Sequence, residues 1–593
     1  MAAFALVVRL FYIQVIDSSY KLSAENNSQR IEILYPARGL IYDRNGELMV
    51  YNQPSYDLMI APYELRVFDS LEFCDILDIS MERLRAGIAR AKIPRYRREP
   101  FIKQISPEQF AELQEKMYKY PGFYVRSRTL RKYNKPLASH LFGYVGEVDE
   151  RLISRNPSYV MGDYIGISGI EGYYENVLKG EKGQEVLLVD VHGRVKGPYQ
   201  DGRFDKDAIV GRDLTCTIDA RLQEYGEHLL RNMMGSVVAI EPGTGEILTL
   251  ISAPSYNPAL LVGRERTANY RMLERDTLYK PLFNRALMAN YPPGSTFKPI
   301  QALIGLQEGV INTSSSFSCA MGYRIGRRVL GCHDHRSPLN LLEGIQHSCN
   351  AYFCNVYRRI IENPKYSTAE EAYNRWRTYV MQFGLGSRLQ SDFTNELRGN
   401  VATASYYDRY FGKNHWNALT TISLSIGQGE LMITPLQMAN MAAAIANRGY
   451  YIIPHVVKKI EGIDTIEHRF YQKHIVDIDT AYFNIVANGM SLAVNGGPGS
   501  TATSAKIGNI EVCGKTGTAQ NPHGKDHSVF VAFAPKDDPK IAIAVYVEHG
   551  EWGASYAAPI AGLMIEMYLN GSIAPNRKWI EQRMLNANLL SSK

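Results

Sequence analysis

A chain of 593 residues, 45% hydrophobic and 21% charged, carries apolar side chains for several compact cores, which excludes a disordered polymer. Its net charge of +6 is spread over 66 basic and 60 acidic residues. That mild excess, without a long lysine or arginine block, argues against a nucleic-acid partner.

From the N-terminus, residues 2–16 are apolar apart from Arg9 and Gln14. The run is shorter than the ~20 residues of a spanning helix, and no basic segment precedes it as in a cleaved signal peptide. An ordinary amphipathic first helix is the alternative. Residues 26–212 mix short strands such as Val186–Val189 with helical stretches over Met81–Lys92 and Ser106–Tyr118, and hold no catalytic pattern. The densest basic stretch lies here: Arg85, Arg90, Lys92 and Arg95-Tyr96-Arg97-Arg98. It reads as a solvated face, compatible with weak attraction to anionic lipid or wall polymer. A second region opens at residue 213 with a strand and a helix over Ala220–Met234. Strands Ser236–Ile240 and Ile247–Ile251 follow, joined by a turn rich in Pro and Gly. Helical patterns then run from Lys298 to about Asn447, strands return at Phe530–Phe533 and Ile541–Val547, and a last helix spans Ala558–Tyr568. Strands at both ends of a helical middle predict an α+β fold whose sheet is completed by distant parts of the chain.

Three short strings carry chemistry, in the order Ser295-Thr296-Phe297-Lys298, Ser348-Cys349-Asn350 and Lys515-Thr516-Gly517-Thr518. A serine hydroxyl needs a base to take its proton and donors to hold the oxyanion that forms on the attacked carbonyl. Ser295 and Lys298, three apart, share one helix face, so the lysine reaches the hydroxyl. Desolvation beside a second cation, Lys515, lowers an ammonium pKa enough to make a base. Pro292-Pro293-Gly294 forces a sharp turn, and Pro299 fits only if the helix begins close to Ser295, where free N–H groups favour negative charge. Ser348 and Asn350, in an extended segment or turn, offer a proton relay and an orienting amide. The third string reads as an edge strand that adds a peptide as a further strand and grips its carboxylate, with Gly517 admitting the substrate backbone. Single matches are cheap: Ser18-Ser19-Tyr20-Lys21, Ser154-Arg155-Asn156 and Ser255-Tyr256-Asn257 fit the first two patterns as well. The ordered triplet carries the reading.

That triplet is the signature of penicillin-recognising serine acyltransferases. Pro36-Ala37-Arg38-Gly39-Leu40-Ile41-Tyr42-Asp43-Arg44-Asn45-Gly46, Gly169-Ile170-Glu171-Gly172-Tyr173-Tyr174-Glu175 and Ser425-Ile426-Gly427-Gln428-Gly429 narrow it further. From about Tyr12 to Tyr568 the chain resembles class B penicillin-binding proteins, most of all their elongation-type branch, penicillin-binding protein 2. The resemblance implies a transpeptidase domain over 213–569, with a central antiparallel sheet, helices on both sides and a helical subdomain. It also implies an elongated pedestal of dimerisation type over 26–212 with a head at about 55–146, a tail over 570–593, and an N-terminal membrane helix of which 1–17 is the outer half. The protein would then be a single-pass protein of the bacterial inner membrane, with its catalytic domain in the periplasm.

The chemistry implied is peptidoglycan D,D-transpeptidation. Ser295, deprotonated by Lys298, attacks the penultimate D-alanine of a stem peptide, and Ser348 passes a proton to the leaving group. Backbone N–H groups of Ser295 and Thr518 form the oxyanion hole, while Lys515, Thr516 and Thr518 hold the carboxylate. β-Lactams are trapped on the same serine, no cofactor is required for chemistry, and a polytopic membrane glycosyltransferase is the implied partner. A division-specific relative, a β-lactam-sensing or β-lactam-hydrolysing protein and a non-enzymatic scaffold are the alternatives.

Cysteine placement adds one candidate. Cys319, Cys332 and Cys349 fall close together with His335 between them, and Cys332-x-x-His335 is a plausible ligand pair for a structural zinc that fixes the loop of Ser348 and Asn350. A disulfide or buried free thiols are the competing readings. Cys354 and Cys513 are expected to pack.

Overall fold

The computed structural model describes residues 29–91, 98–190 and 195–590. The expected membrane segment, 1–17, and most of the run Arg95–Arg98 lie outside the described residues. Among those described, no helix is long and apolar enough to cross a membrane.

The catalytic half is built on a five-stranded antiparallel sheet in the order Ile247–Ala253, Gly235–Ile240, Ile541–Val547, His527–Ala534, Cys513–Ala519. Side chains alternate between two cores. Val238, Ile240, Val529, Val531, Phe533 and Tyr546 face the helices Lys298–Gln307, Asn350–Ile361 and Pro435–Ala446. Val237, Ala239, Phe530, Ala532, Ile543 and Val545 face Ala220–Leu229 and Ala557–Asn570. Both faces are covered, which is why these strands read as unbroken apolar runs. The helix Pro435–Ala446 is buried on all sides, and its start is secured by a capping box between Thr434 and Gln437.

Two features depart from the reading of the sequence. The middle region is not wholly helical: Gly322–Ile325 and Arg328–Gly331 form a hairpin whose strands are too short to show a clear alternation. The tail carries another helix, Lys578–Asn586, docked through Tyr225 Oη donating to Glu581 at 2.9 Å and the buried pair Arg577–Glu566.

The pedestal is joined to the catalytic half by backbone pairing. Leu214–Cys216 pairs on one side with Val457–Ile460 and on the other with Ile41–Tyr42, so one sheet runs across the boundary near residue 213. The motifs around Arg38 and Glu171 form the centre of the pedestal. Arg38 bridges Glu171 at 2.8 Å and Glu175 at 2.7 Å, and Arg131 reaches Glu171 at 2.6 Å. Glu171 is fully buried; burial pushes its carboxyl up, but Arg131 and Arg38 outweigh that and hold it below the ordinary value. Arg44 leaves the same segment to pair with Glu241 and Glu246 of the catalytic half, at 2.9 and 3.2 Å. Tyr174 Oη donates to the buried Asp392 at 3.0 Å. The head has its own core of Leu58, Ile60, Phe73, Leu113, Tyr120 and Phe123. Its helix Pro107–Lys116 starts at a Ser106–Gln109 capping box.

Candidate active site

Ser295 lies on a single 3-10 turn, Gly294–Phe297, that runs directly into the helix Lys298–Gln307. Pro299 occupies the first turn of that helix, where its missing N–H is harmless. The turn is braced from behind. Gly294 N donates to Gly427 O at 2.9 Å, Thr296 Oγ1 donates to Pro293 O at 2.7 Å, and Gln428 Nε2 donates to Thr518 O at 3.2 Å. Gly427 sits at φ +70, and a Cβ there would come within 2.2 Å of Gly294 O, so only glycine lets this brace touch the nucleophile's turn.

Lys298 is fully buried, and three acceptors converge on its ammonium: Ser348 O at 2.6 Å, Ser348 Oγ at 3.2 Å and Asn350 Oδ1 at 2.7 Å. Burial pulls its pKa down to about 8, against the opposing effect of nearby thiols. In this state the lysine faces the second string, and among the described residues the Ser295 hydroxyl takes no hydrogen bond. Lys515, also fully buried, is pushed well below its ordinary range by burial first and Lys298 second; its Nζ donates to Thr516 O at 3.0 Å. Desolvation therefore dominates the lysine shift expected from the sequence, and the charge of Lys298 acts on Lys515.

Of the two forms expected for the second string, it takes the turn and not the extended segment. Ser348 is held at φ +54, a strained left-handed conformation for a residue with a Cβ. Cys349 then caps the helix Asn350–Ile361, its Sγ accepting from Tyr352 N at 3.3 Å. The bend turns Ser348's carbonyl and hydroxyl and Asn350's amide oxygen to one point.

Cys513–Ala519 is an edge strand, paired among the described residues only with His527–Ala534. Gly517 lines the cleft and also packs on the nucleophile's turn: a Cβ would stand 2.9 Å from Thr296 Cγ2 and 3.0 Å from Pro293 O. Glycine therefore permits a close approach of this strand to the nucleophile's own turn. Ser295, Ser348, Asn350, Thr516 and Thr518 line one cleft of about 610 Å3, with the exposed Trp552 at its rim. Gln428, Trp552 and Asp526 also line the cleft; Gln428 belongs to the string Ser425–Gly429, while Trp552 and Asp526 stand in loops where no sequence pattern marks them.

Cys319, Cys332, His335 and Cys349 meet beside the second string, with one ligand atom from each lying within 4.8 Å of the others. All seven cysteines are free thiols. His335 Nδ1 donates to Arg336 O at 2.7 Å, which leaves Nε2 facing Cys332 Sγ at 3.5 Å. Hydrogen bonds from Cys349, then His333 and Asn350, hold the Cys332 thiol far below its ordinary range, while Cys349, the donor to Cys332, is pushed up. The cluster touches the second string directly: Asn350 N donates to Cys332 Sγ at 3.3 Å and Asn350 Nδ2 to Gly331 O at 2.7 Å.

A family model described as the penicillin binding protein transpeptidase domain matches residues 235–566, and one described as the penicillin-binding protein dimerisation domain matches residues 33–216. The chain belongs to the class B penicillin-binding proteins. The peptidoglycan D,D-transpeptidase MrdA of Acinetobacter baumannii is 31% identical, over 95% of this chain and 85% of its own. The crystal structure of Pseudomonas aeruginosa PBP2 in complex with WCK 5153 is 28% identical, covers 92% of this penicillin-binding protein and 99% of that chain, and superposes with a TM-score of 0.67. A complex of PBP2 and MreC from Helicobacter pylori, 23% identical with a TM-score of 0.74 over 92% of this chain and 100% of that one, shares the fold.

Proposed function

We propose that this penicillin-binding protein is an elongation-type peptidoglycan D,D-transpeptidase, a serine D-Ala-D-Ala acyltransferase and β-lactam target whose chemistry needs no cofactor. The observation that carries the reading is the convergence of Ser348 O, Ser348 Oγ and Asn350 Oδ1 on the buried Lys298 ammonium, one turn from Ser295. A desolvated lysine with a pKa near 8 is neutral in a useful fraction of molecules and can take the Ser295 proton.

Ser295 Oγ then bonds to the penultimate D-alanine carbonyl, and the peptide C–N bond to the terminal D-alanine breaks. The proton taken by Lys298 reaches the leaving amine through Ser348. Ser295 and Thr518 N–H groups stabilise the oxyanion, and Lys515, Thr516 and Thr518 hold the substrate carboxylate on the edge strand, with Gly517 keeping that strand against the nucleophile turn. An amine from a neighbouring stem resolves the ester and forms the crosslink. A single-pass anchor in the inner membrane, a periplasmic catalytic domain and a polytopic glycosyltransferase partner complete the reading.

Purified protein given uncross-linked pentapeptide glycan strands should release one D-alanine for each crosslinked dimer formed, as read by mass spectrometry of the digested product. D-alanine release with no dimer would reduce the activity to carboxypeptidation. Fast drug turnover without either product would make the protein a β-lactamase.

Three thiols and an imidazole within 4.8 Å are a donor set suited to zinc. Cys319, Cys332, His335 and Cys349 would hold the ion, and its chemistry there is that of a structural crosslink. These residues anchor the Gly331 hairpin and the start of the helix at Asn350, and so hold the Asn350 amide on Lys298. Purified protein should carry about one zinc per chain by elemental analysis, and Cys332→Ser should lose it and lower the melting midpoint by several degrees. Metal-free protein with a mass 2 Da below that of the free thiols would replace zinc by a disulfide.

A further inference from the structure

A second cleft, of about 390 Å3, opens between the head and the catalytic half and has no part in acyl transfer. The helix Met81–Ala91 and the strands Glu99–Ile105 and Phe123–Tyr133 supply its head side, and residues 262–267 its catalytic side. Arg83, Arg90 and Arg266 line it, and among the described residues their guanidinium groups have no ion pair or hydrogen bond. Arg264 reaches the Lys103 carbonyl at 2.6 Å, which ties the two sides together. The one carboxylate lining the cleft, Glu147, is already paired with Lys103.

Like charges gathered around a low-dielectric cleft repel one another and focus a positive field into it. Two further observations say what the field is for. Arg131 Nη2 and Gln104 Oε1, on residues lining the cleft, are buried with no partner; one is a donor and the other an acceptor. Arg131 is only 5% exposed, and Gln104 is held at φ +58, a conformation that strains a residue with a Cβ. A bare phosphate offers acceptors only and would leave Gln104 Oε1 unsatisfied. A peptide offers a carbonyl to Arg131, an N–H to Gln104 and carboxylates to the free guanidinium groups, which bind them in a planar fork. Phe101 and Val262 supply apolar surface for its side chains.

We propose that this cleft is a second binding site for carboxylate-bearing stem peptides of the wall polymer, separate from the acylation site and spanning the head and the catalytic half. The proposal rests on the transpeptidase reading above. Binding there holds the head against residues 262–267 when polymer is present.

The test uses full-length protein acylated by a β-lactam, so that the first cleft is blocked and failed acylation reports separately on the transpeptidase reading. The probe is a soluble uncross-linked glycan strand with tetrapeptide stems, with binding followed by fluorescence anisotropy. The blocked protein should bind it saturably, with affinity falling as salt rises, and the double substitution Arg83→Ala, Arg266→Ala should weaken binding by roughly tenfold or more while leaving the acylation rate unchanged. Unchanged acylation, together with unchanged hydrogen-exchange protection of the head strands Leu48–Ile60 and Phe123–Tyr133, shows that the variant is folded. No binding by the blocked protein, equal binding by the variant, or equal affinity for peptide-free glycan would each overturn the proposal. Preference for vesicles of anionic phospholipid, or for poly-glutamate as a stand-in for an acidic protein segment, would overturn it too.

Discussion

Replacing Ser295 with alanine abolishes covalent penicillin binding: intact-mass spectra should show the wild type gaining one drug mass per chain and the variant none. Removal of the nucleophile leaves the lactam carbonyl without the hydroxyl at the head of the helix Lys298–Gln307. Ser348 lines the same cleft and its hydroxyl accepts from Lys298 at 3.2 Å, so it is the competing hydroxyl that this experiment checks. A label that persists on the Ser295→Ala protein would therefore move the nucleophile elsewhere and break the mechanism. The same label reports the base. Burial lowers Lys298 to about 8, and only the neutral amine takes a proton. Acylation should accordingly slow by about tenfold for each pH unit below that value and level off above it. A rate flat from pH 6 to 9 would assign the proton to another group.

Glu171→Ala should cost the pedestal about 3–5 kcal/mol, because it strands the buried guanidinium groups of Arg38 and Arg131 without their shared carboxylate. Hydrogen exchange is the suitable probe: Trp376, Trp416, Trp552 and Trp579 all lie outside the pedestal, so tryptophan emission would miss the loss. Amides of Leu48–Ile60 and Phe123–Tyr133 should exchange about two to four orders of magnitude faster, while penicillin acylation at Ser295 persists. The sign of the pH dependence follows from the carboxyl being held below its ordinary value. Its contribution is present above the unfolded carboxylate pKa and is lost as pH falls through the folded one. Unchanged protection in the variant would mean that the network is not what holds the pedestal.

The catalytic sheet was largely legible because Ile541–Val547 and its neighbours are apolar on both faces, a pattern that tolerates little ambiguity once Pro and Gly turns bound it. The hairpin over 322–331 was not, since four-residue strands carry too few alternations to stand out from helical surroundings. The helix Lys578–Asn586 was missed because its contacts are made with distant partners, Tyr225 and Glu566, and its own sequence is mostly polar. Arg38, Glu171 and Glu175 could be read only as parts of motifs. Their pairing is set by residues more than a hundred positions apart, which no local pattern records.

At the site the division is similar. The sequence by itself determined which functional groups are available and where helix and strand can start, because Pro299, Gly294 and the apolar strands act through local sterics and burial. Tertiary structure alone decided that Lys298 meets the second string, that Gly517 opens toward Thr296, and that four metal-ligand side chains meet behind Asn350. Those outcomes depend on the strained turn at Ser348 and on burial that takes two lysines out of water, and both exist only once the sheet and its covering helices have closed.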